Sequence, residues 1–213
     1  MKIAGLEEAG RGPVIGPMIV AGVLIDENDS EKLREIGVRD SKLLTRKSRE
    51  NLAGKMQGII KAHKILEISP NELDNENINM VTAKRMAEII NELNPDIAII
   101  DCPSNNINSF TSDVERFLTV SSKIKAEHKA DINHPVVSAA SIFAKVNRDK
   151  WVSNFEKKNN VSVGSGYPHD PETINFLKMV LSNNQGIPSY VRKKWSTVSN
   201  MMNSKKQKKL FEY

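Results

Sequence analysis

The sequence predicts an α/β domain built on a mixed sheet, followed by a helical C-terminal portion. Three observations predict it. Two short apolar runs, 2–8 and 18–25, follow one another with only Gly10, Gly12, Pro13, Gly16 and Pro17 as punctuation, so the chain opens with two consecutive strands. From residue 64 onward, short apolar runs alternate with segments whose apolar residues recur at helical spacing. Beyond Asp170-Pro171-Glu172 the apolar pattern is helical.

Each element has its own signature. The second strand, MIVAGVLI, is almost wholly apolar and is expected to be buried on both faces. Leu52, Met56, Ile59 and Ile60 mark a helix for which Thr45 is the N-cap. Residues 64–68 read as a third strand. Ser69-Pro70-Asn71-Glu72 combines a capping serine, a first-turn proline and a following glutamate, which starts a helix. A longer helix carries Val81, Met86, Ile89, Ile90 and Leu93 and ends near Asn94-Pro95. DIAIID, 96–101, is a buried strand closed by a carboxylate. A helix near 107–118, a strand at 123–128, and a long helix from Pro135 to about Lys158 follow. Ile174, Leu177, Val180 and Leu181 form the apolar face of the next helix. The resulting division is 1–165 for the α/β domain, 166–203 for a helical segment packed on it, and 204–213 for a basic tail.

The chain has 213 residues, 39% hydrophobic and 27% charged, in keeping with a soluble globular protein. No apolar run reaches the length of a membrane-spanning helix and the N-terminus shows no signal-peptide pattern. The single cysteine, Cys102, excludes an internal disulfide and suits a reducing cytosol, so a cytoplasmic location is expected. The absence of a Cys/His cluster argues against zinc. The net charge of +5, with Arg192-Lys193-Lys194 and Lys205-Lys206-Gln207-Lys208-Lys209 near the C-terminus, admits two readings: a polyanionic partner or a solvated basic tail.

Glu7, Glu8, Asp101 and Asp131 all fall where strands or strand–helix junctions end. Any one of them has an ordinary reading as an exposed strand-end acid, a helix cap or a turn former. An acid closing an apolar strand is costly to bury without a partner, however, and open α/β sheets bind ligands beyond the carboxyl ends of their strands. Converging carboxylates repel one another, and a hard divalent cation, Mg²⁺ or Mn²⁺, relieves that repulsion. One conflict is visible: adjacent residues of a regular strand point to opposite faces, so Glu7 and Glu8 share a site only if the strand ends or bulges there.

The motifs GLEEAGRGPVIGPM, RDSKLLT, IIDCPS, EHKADINHPVVSAASIFAKVNRD and GSGYPHDP, in this order, give the chain a resemblance to the archaeal ribonuclease HII family over nearly its whole length. The resemblance implies a ribonuclease H-like fold, a mixed five-stranded sheet flanked by helices with a C-terminal helical segment. It implies an endonuclease acting on the RNA strand of RNA/DNA hybrids and 5′ of single ribonucleotides in duplex DNA, leaving 3′-hydroxyl and 5′-phosphate ends. It assigns Glu7, Glu8, Asp101 and Asp131 to two divalent ions, Mg²⁺ or Mn²⁺. It gives Gly10, Arg11 and Gly12 the sensing of the ribose 2′-hydroxyl, and Tyr167 the packing on the deoxyribose that follows. It favours substrate phosphate contacts for Ser41 and Lys42.

Lys145 and Arg148 suit phosphate contact or a solvated helix face; Ser138 and Ser141 suit close helix packing or a ligand role. His169 reads as a turn residue, His63, His128 and His134 as structural or exposed, Trp151 and Trp195 as core anchors, and Cys102 as a small buried side chain. At the C-terminus, Gln207, Leu210, Phe211 and Tyr213 fall at positions resembling a sliding-clamp binding box, without the usual second aromatic. Nothing demands more than a monomer.

One position departs from the family pattern. The first acid is aspartate in the pattern and Glu7 here, longer by one carbon–carbon bond, about 1.5 Å. That leaves two alternatives to an active ribonuclease: a hybrid-binding protein disabled by Glu7, or another nuclease of the same fold such as a junction resolvase, against which the GRG motif and Tyr167 argue.

Overall fold

The computed structural model describes residues 1–38, 44–183 and 186–210, with residues 205–210 as backbone only. Five strands, β1 (Lys2–Ala9), β2 (Met18–Asp26), β3 (Ala62–Ile68), β4 (Ile97–Asp101) and β5 (Lys123–Glu127), form one sheet in the order β3-β2-β1-β4-β5. β1, β2 and β3 pair antiparallel; β4 and β5 add to β1 in parallel. The sheet is mixed and five-stranded, with β1 at its centre.

The strand signals lie close to the observed bounds, and the capping signals act as read. Thr45 accepts from the Ser48 amide at the start of α2 (Arg46–Met56). Ser69 and Glu72 form a complete capping box on α3 (Pro70–Asn75). Asn94, in left-handed conformation, closes α4 (Ile78–Leu93) just before Pro95. Asp170 caps α8 (Pro171–Ser182).

Helices α4 and α5 (Ile107–Glu115) cover one face of the sheet, enclosing Leu6, Val20, Ile100, Met86, Ile90 and Phe110. The other face is covered by α1 (Ser30–Glu35), α2 and the 25-residue α7 (Pro135–Asn159). Gly5 lets α7 lie almost on the sheet: a Cβ there would sit 2.4 Å from the Val136 carbonyl. This close approach brings the α7 side chains to the C-terminal end of β1.

Two short helices carry no periodic window and are absent from the sequence reading: α1, behind a 3-10 turn at Glu27–Asp29, and the single turn α6 (Ala130–Asn133). The last helix, α9 (Ser196–Leu210), runs past residue 204, where charge alone suggested that a tail begins. Helices α8 and α9 enclose a third cluster with Val14, Ile15, Trp151 and Phe155. Trp195 is half-buried and joins this cluster to the α4 side, so both tryptophans pack in cores.

Backbone bonds stitch residues 14–16 between two distant segments. Val14 N–H donates to Gly166 O (2.8 Å), Gly16 N–H to Tyr190 O (2.7 Å), and Arg192 N–H to Val14 O (2.9 Å). Asp74, buried on α3, accepts from the Lys193 and Lys194 amides at 3.0 and 2.9 Å, tying the approach to α9 to the domain.

Candidate active site

The C-terminal end of β1 meets the C-terminal end of its parallel neighbour β4, and that junction sets the site. β1 is regular through Ala9: Glu7 pairs with Ala21, Glu8 with Val20 and Ala9 with Ile19. Strict alternation follows. Glu7 lies on the α7 side of the sheet with Ala9, and Glu8 on the α4 side with Leu6. Asp101 ends β4, and Asp131 is delivered by α6 immediately before α7.

Glu7, Asp101 and Asp131 each place a carboxylate oxygen within 4.8 Å of the others. Glu7 and Asp131 are buried, and Asp101 accepts from the Ala130 amide (3.3 Å), which docks α6 against β4. Glu7 also accepts from the Glu8 amide (3.0 Å). Among the described residues, neither Glu7 nor Asp101 forms an ion pair. Burial foremost, then the Glu8 charge and contact with Asp101, push the Glu7 carboxyl well above the usual glutamate range. Three hard oxygen donors brought together at the end of the central strands, two of them buried, fit a divalent cation.

Glu8 stands apart from this trio. The strand neither bulges nor ends at Glu8, so the expected convergence of four acids is reached by three, with the fourth on the far face. Glu8 still lines the same cavity. Burial raises it to about 7; the nearby Arg11 opposes that rise and the Asp101 charge adds to it. Its Oε2 has no hydrogen-bond partner among the described residues.

The cavity, about 770 Å³, is lined by the four acids, by Gly10, Arg11 and Gly12, by Ser141, Lys145 and Arg148 of α7, and by Tyr167. Gly10 has φ 85°, and a Cβ there would press within 3.2 Å of Arg148 Cδ; only glycine suits this turn. The open side of Gly12 faces Tyr167, whose Cε1 lies 3.1 Å from where a Cβ would be. Tyr167 is 37% exposed, its ring 5.5 Å from that of His169. The Arg11 guanidinium is fixed by Asn79 of α4.

Lys145 donates to Ser141 one turn back, at 3.1 Å. Ser138, equally buried on α7, lies outside the cavity lining. Arg148 is no solvated helix residue: only 6% exposed, it donates to Ile15 O at 2.6 Å, and burial lowers its pKa to about 10. Ser41 and Lys42 lie outside the described residues, as do Phe211, Tyr213 and the side chains of Gln207 and Leu210.

Two cationic lining residues, among others, escaped the sequence reading. Arg46 and Arg49 project from α2, Arg46 to Ser153 Oγ (2.9 Å) and Arg49 to Asp149 (2.7 Å). Their signal was a basic pair three apart on the helix that follows RDSKLLT. Cys102 is buried with its thiol toward Ser104 O, as a small packing residue. His128 and His134 do not line the cavity and are bonded to Cys102 O (3.3 Å) and to Glu127 (3.0 Å).

Known proteins match nearly the whole chain in sequence and fold. The family model for ribonuclease HII matches residues 4–198. A ribonuclease HII from Pyrococcus furiosus is 44% identical, over 98% of this chain and 95% of its own. The crystal structure of the ribonuclease H2 from Pyrococcus horikoshii OT3 superposes with a TM-score of 0.90 at 37% identity, over 97% of this chain and all of that one. The ribonuclease HII of a complex with PCNA from Archaeoglobus fulgidus gives 0.83 at 40% identity, over 93% and 96% of the two chains. With its ribonuclease H-like mixed sheet and acids gathered at the carboxyl ends of the central strands, the chain belongs to the ribonuclease HII family of hydrolytic nucleases.

Proposed function

We propose that the chain is an endonuclease that hydrolyses the RNA strand of RNA/DNA hybrids and cuts duplex DNA on the 5′ side of single embedded ribonucleotides, leaving 3′-hydroxyl and 5′-phosphate ends. One observation carries this reading: the Glu7, Asp101 and Asp131 oxygens share a cavity with the Gly10–Gly12 loop and Tyr167. Such a cavity unites a seat for divalent cations with a surface where a backbone approaches a sugar closely. The 2′-hydroxyl is the atom that separates ribose from deoxyribose.

In this reading Glu7, Asp101 and Asp131 would hold Mg²⁺ or Mn²⁺, two ions during catalysis, with Glu8 of the same cavity as a further ligand. Such ions would supply Lewis acidity for hydrolysis of the phosphodiester. The loop fixes the ribose, Tyr167 packs on the following deoxyribose, and Lys145 and Arg148 meet the phosphates with Ser41 and Lys42. Phosphate contacts give salt-sensitive affinity without base specificity. No histidine base is required.

The test offers a duplex with one ribonucleotide, an all-DNA duplex and a four-way junction, each with Mg²⁺ or Mn²⁺. A single cut 5′ of the ribonucleotide, with the other two intact, is expected. Cutting of the junction, or of none, overturns the reading.

Glu7 itself is testable. Substituting Glu7→Asp shortens the side chain toward the family pattern, and Mg²⁺ demands near-ideal geometry. The expected result is a rise in Mg²⁺-dependent kcat/KM of about tenfold, or about 1.4 kcal/mol of transition-state stabilisation. An equal or lower kcat/KM would mean that the surrounding backbone is adapted to glutamate.

We also propose that residues 207–213 bind a sliding clamp, with Gln207, Leu210, Phe211 and Tyr213 as anchors. The relative from Archaeoglobus fulgidus was solved in complex with PCNA, which supports the idea. Deleting residues 207–213 is expected to abolish binding to the cognate clamp in a pull-down or calorimetric titration while cleavage of short duplexes persists. Unchanged clamp affinity removes the proposal.

A further inference from the structure

We infer that Arg192 is a positioning residue that sets the shape of the ribose-sensing loop from behind, making the segment before α9 a working part of the active site. The inference rests on the reading above that the Gly10–Gly12 loop meets the ribose.

Charge alone places Arg192 in a basic cluster with Lys193 and Lys194, but its side chain is 0% exposed. Its three nitrogens donate separately: Nη2 to Gly10 O (2.7 Å), Nη1 to Arg11 O (3.0 Å) and Nε to Gly16 O (2.9 Å). The guanidinium lies against the Trp195 ring, 4.9 Å from its centroid. Among the described residues it forms no ion pair. A fully buried cation held by carbonyls alone is an expensive feature, and desolvation lowers its pKa to about 9, with the Arg148 charge adding to the effect. An apolar side chain of similar volume would fill the space but leave three carbonyls without this donor, so the cation is there for what it holds.

The donors go where the chemistry is sensitive. Gly10 and Arg11 supply two of the three carbonyls, and Arg148 takes Ile15 O at the same turn. With these carbonyls tied back, the loop has one conformation in which to present its remaining atoms to a sugar. Among the described residues, the amides of Arg11 and Gly12 are paired with no acceptor, which leaves them for a ligand oxygen. Only a planar fork reaches three diverging carbonyls at once; a lysine ammonium keeps the charge but not the geometry.

The experiment compares Arg192→Lys and Arg192→Met with Asp74→Asn. Asp74 anchors the same segment through the Lys193 and Lys194 amides and does not line the cavity. All assays run well below each variant's Tm. For Arg192→Lys, kcat on a one-ribonucleotide duplex is expected to fall roughly 10- to 100-fold, as ångström-scale misplacement of a reacting group costs. Its Kd for an all-DNA duplex should stay within about twofold, because phosphate contacts dominate that term. Hydrogen exchange across residues 10–16 should quicken while that of β1 does not. Asp74→Asn should keep its kcat even where its Tm falls as far. Wild-type kcat and exchange in Arg192→Lys, or an equal kcat loss in Asp74→Asn, would overturn the inference. If Arg192→Met does not fold, Arg192→Lys still decides. Should the wild-type protein itself ignore the ribonucleotide, the proposed function fails, while exchange across the loop still reports whether Arg192 anchors it.

Discussion

Replacing Asp101 by asparagine is expected to lower kcat/KM on a one-ribonucleotide duplex by about 10³-fold or more, since losing ~4 kcal/mol of cation-borne transition-state stabilisation costs that much. Asparagine keeps the shape of the side chain and an oxygen for the Ala130 amide, so α6 should remain docked. The substitution also removes one of the charges that raise Glu7 and Glu8. The metal-free variant should therefore melt no lower than the wild type, and calorimetric titration with Mn²⁺ should show weakened binding. Loss of activity without loss of stability is the signature of a functional carboxylate. Activity within tenfold of wild type would remove Asp101 from the cation seat.

Stability of the metal-free protein should fall as the pH rises. Glu8 moves from an ordinary 4.5 to about 7 on folding, and Glu7 moves in the same direction. A carboxyl raised by folding holds its proton more tightly in the folded state. The stability it contributes is full below about pH 4.5 and is lost as the pH climbs through 7. Between pH 5 and 8, Glu8 alone accounts for about 2–3 kcal/mol. For a chain of this size that is roughly 5–10 °C in Tm. Melting curves in EDTA at pH 5, 6, 7 and 8 should show the slope, Glu8→Gln should flatten it, and Mg²⁺ at pH 8 should restore much of the loss. A flat profile in the wild type would mean that Glu8 is ionised at no cost, and so is solvated rather than enclosed.

Much of this architecture is legible in the residues. The strands of the sheet announce themselves by apolar runs, and the caps at Thr45, Ser69, Asn94 and Asp170 by chemistry that satisfies orphan backbone groups. Helices α1 and α6 do not, because four to six residues cannot display a period. The acids are legible as candidates through their position at strand ends. Their division into three and one follows from β1 staying regular, which the glycines after it left open. The basic residues mislead most. Arg148 and Arg192 sit among solvated lysines in sequence and are buried in the fold. Their carbonyl partners lie 133 to 182 positions away, and no local pattern encodes such a contact.

The stitching of residues 10–16 to residues 190–192 also bears on when this enzyme comes into being during translation. β1 and its acids emerge well before residues 190–192, yet the turn beside them cannot take its final form until that later segment has left the ribosome. A nascent chain that has not yet reached residue 192 thus carries the acids without the bonds that hold residues 10–16 in place.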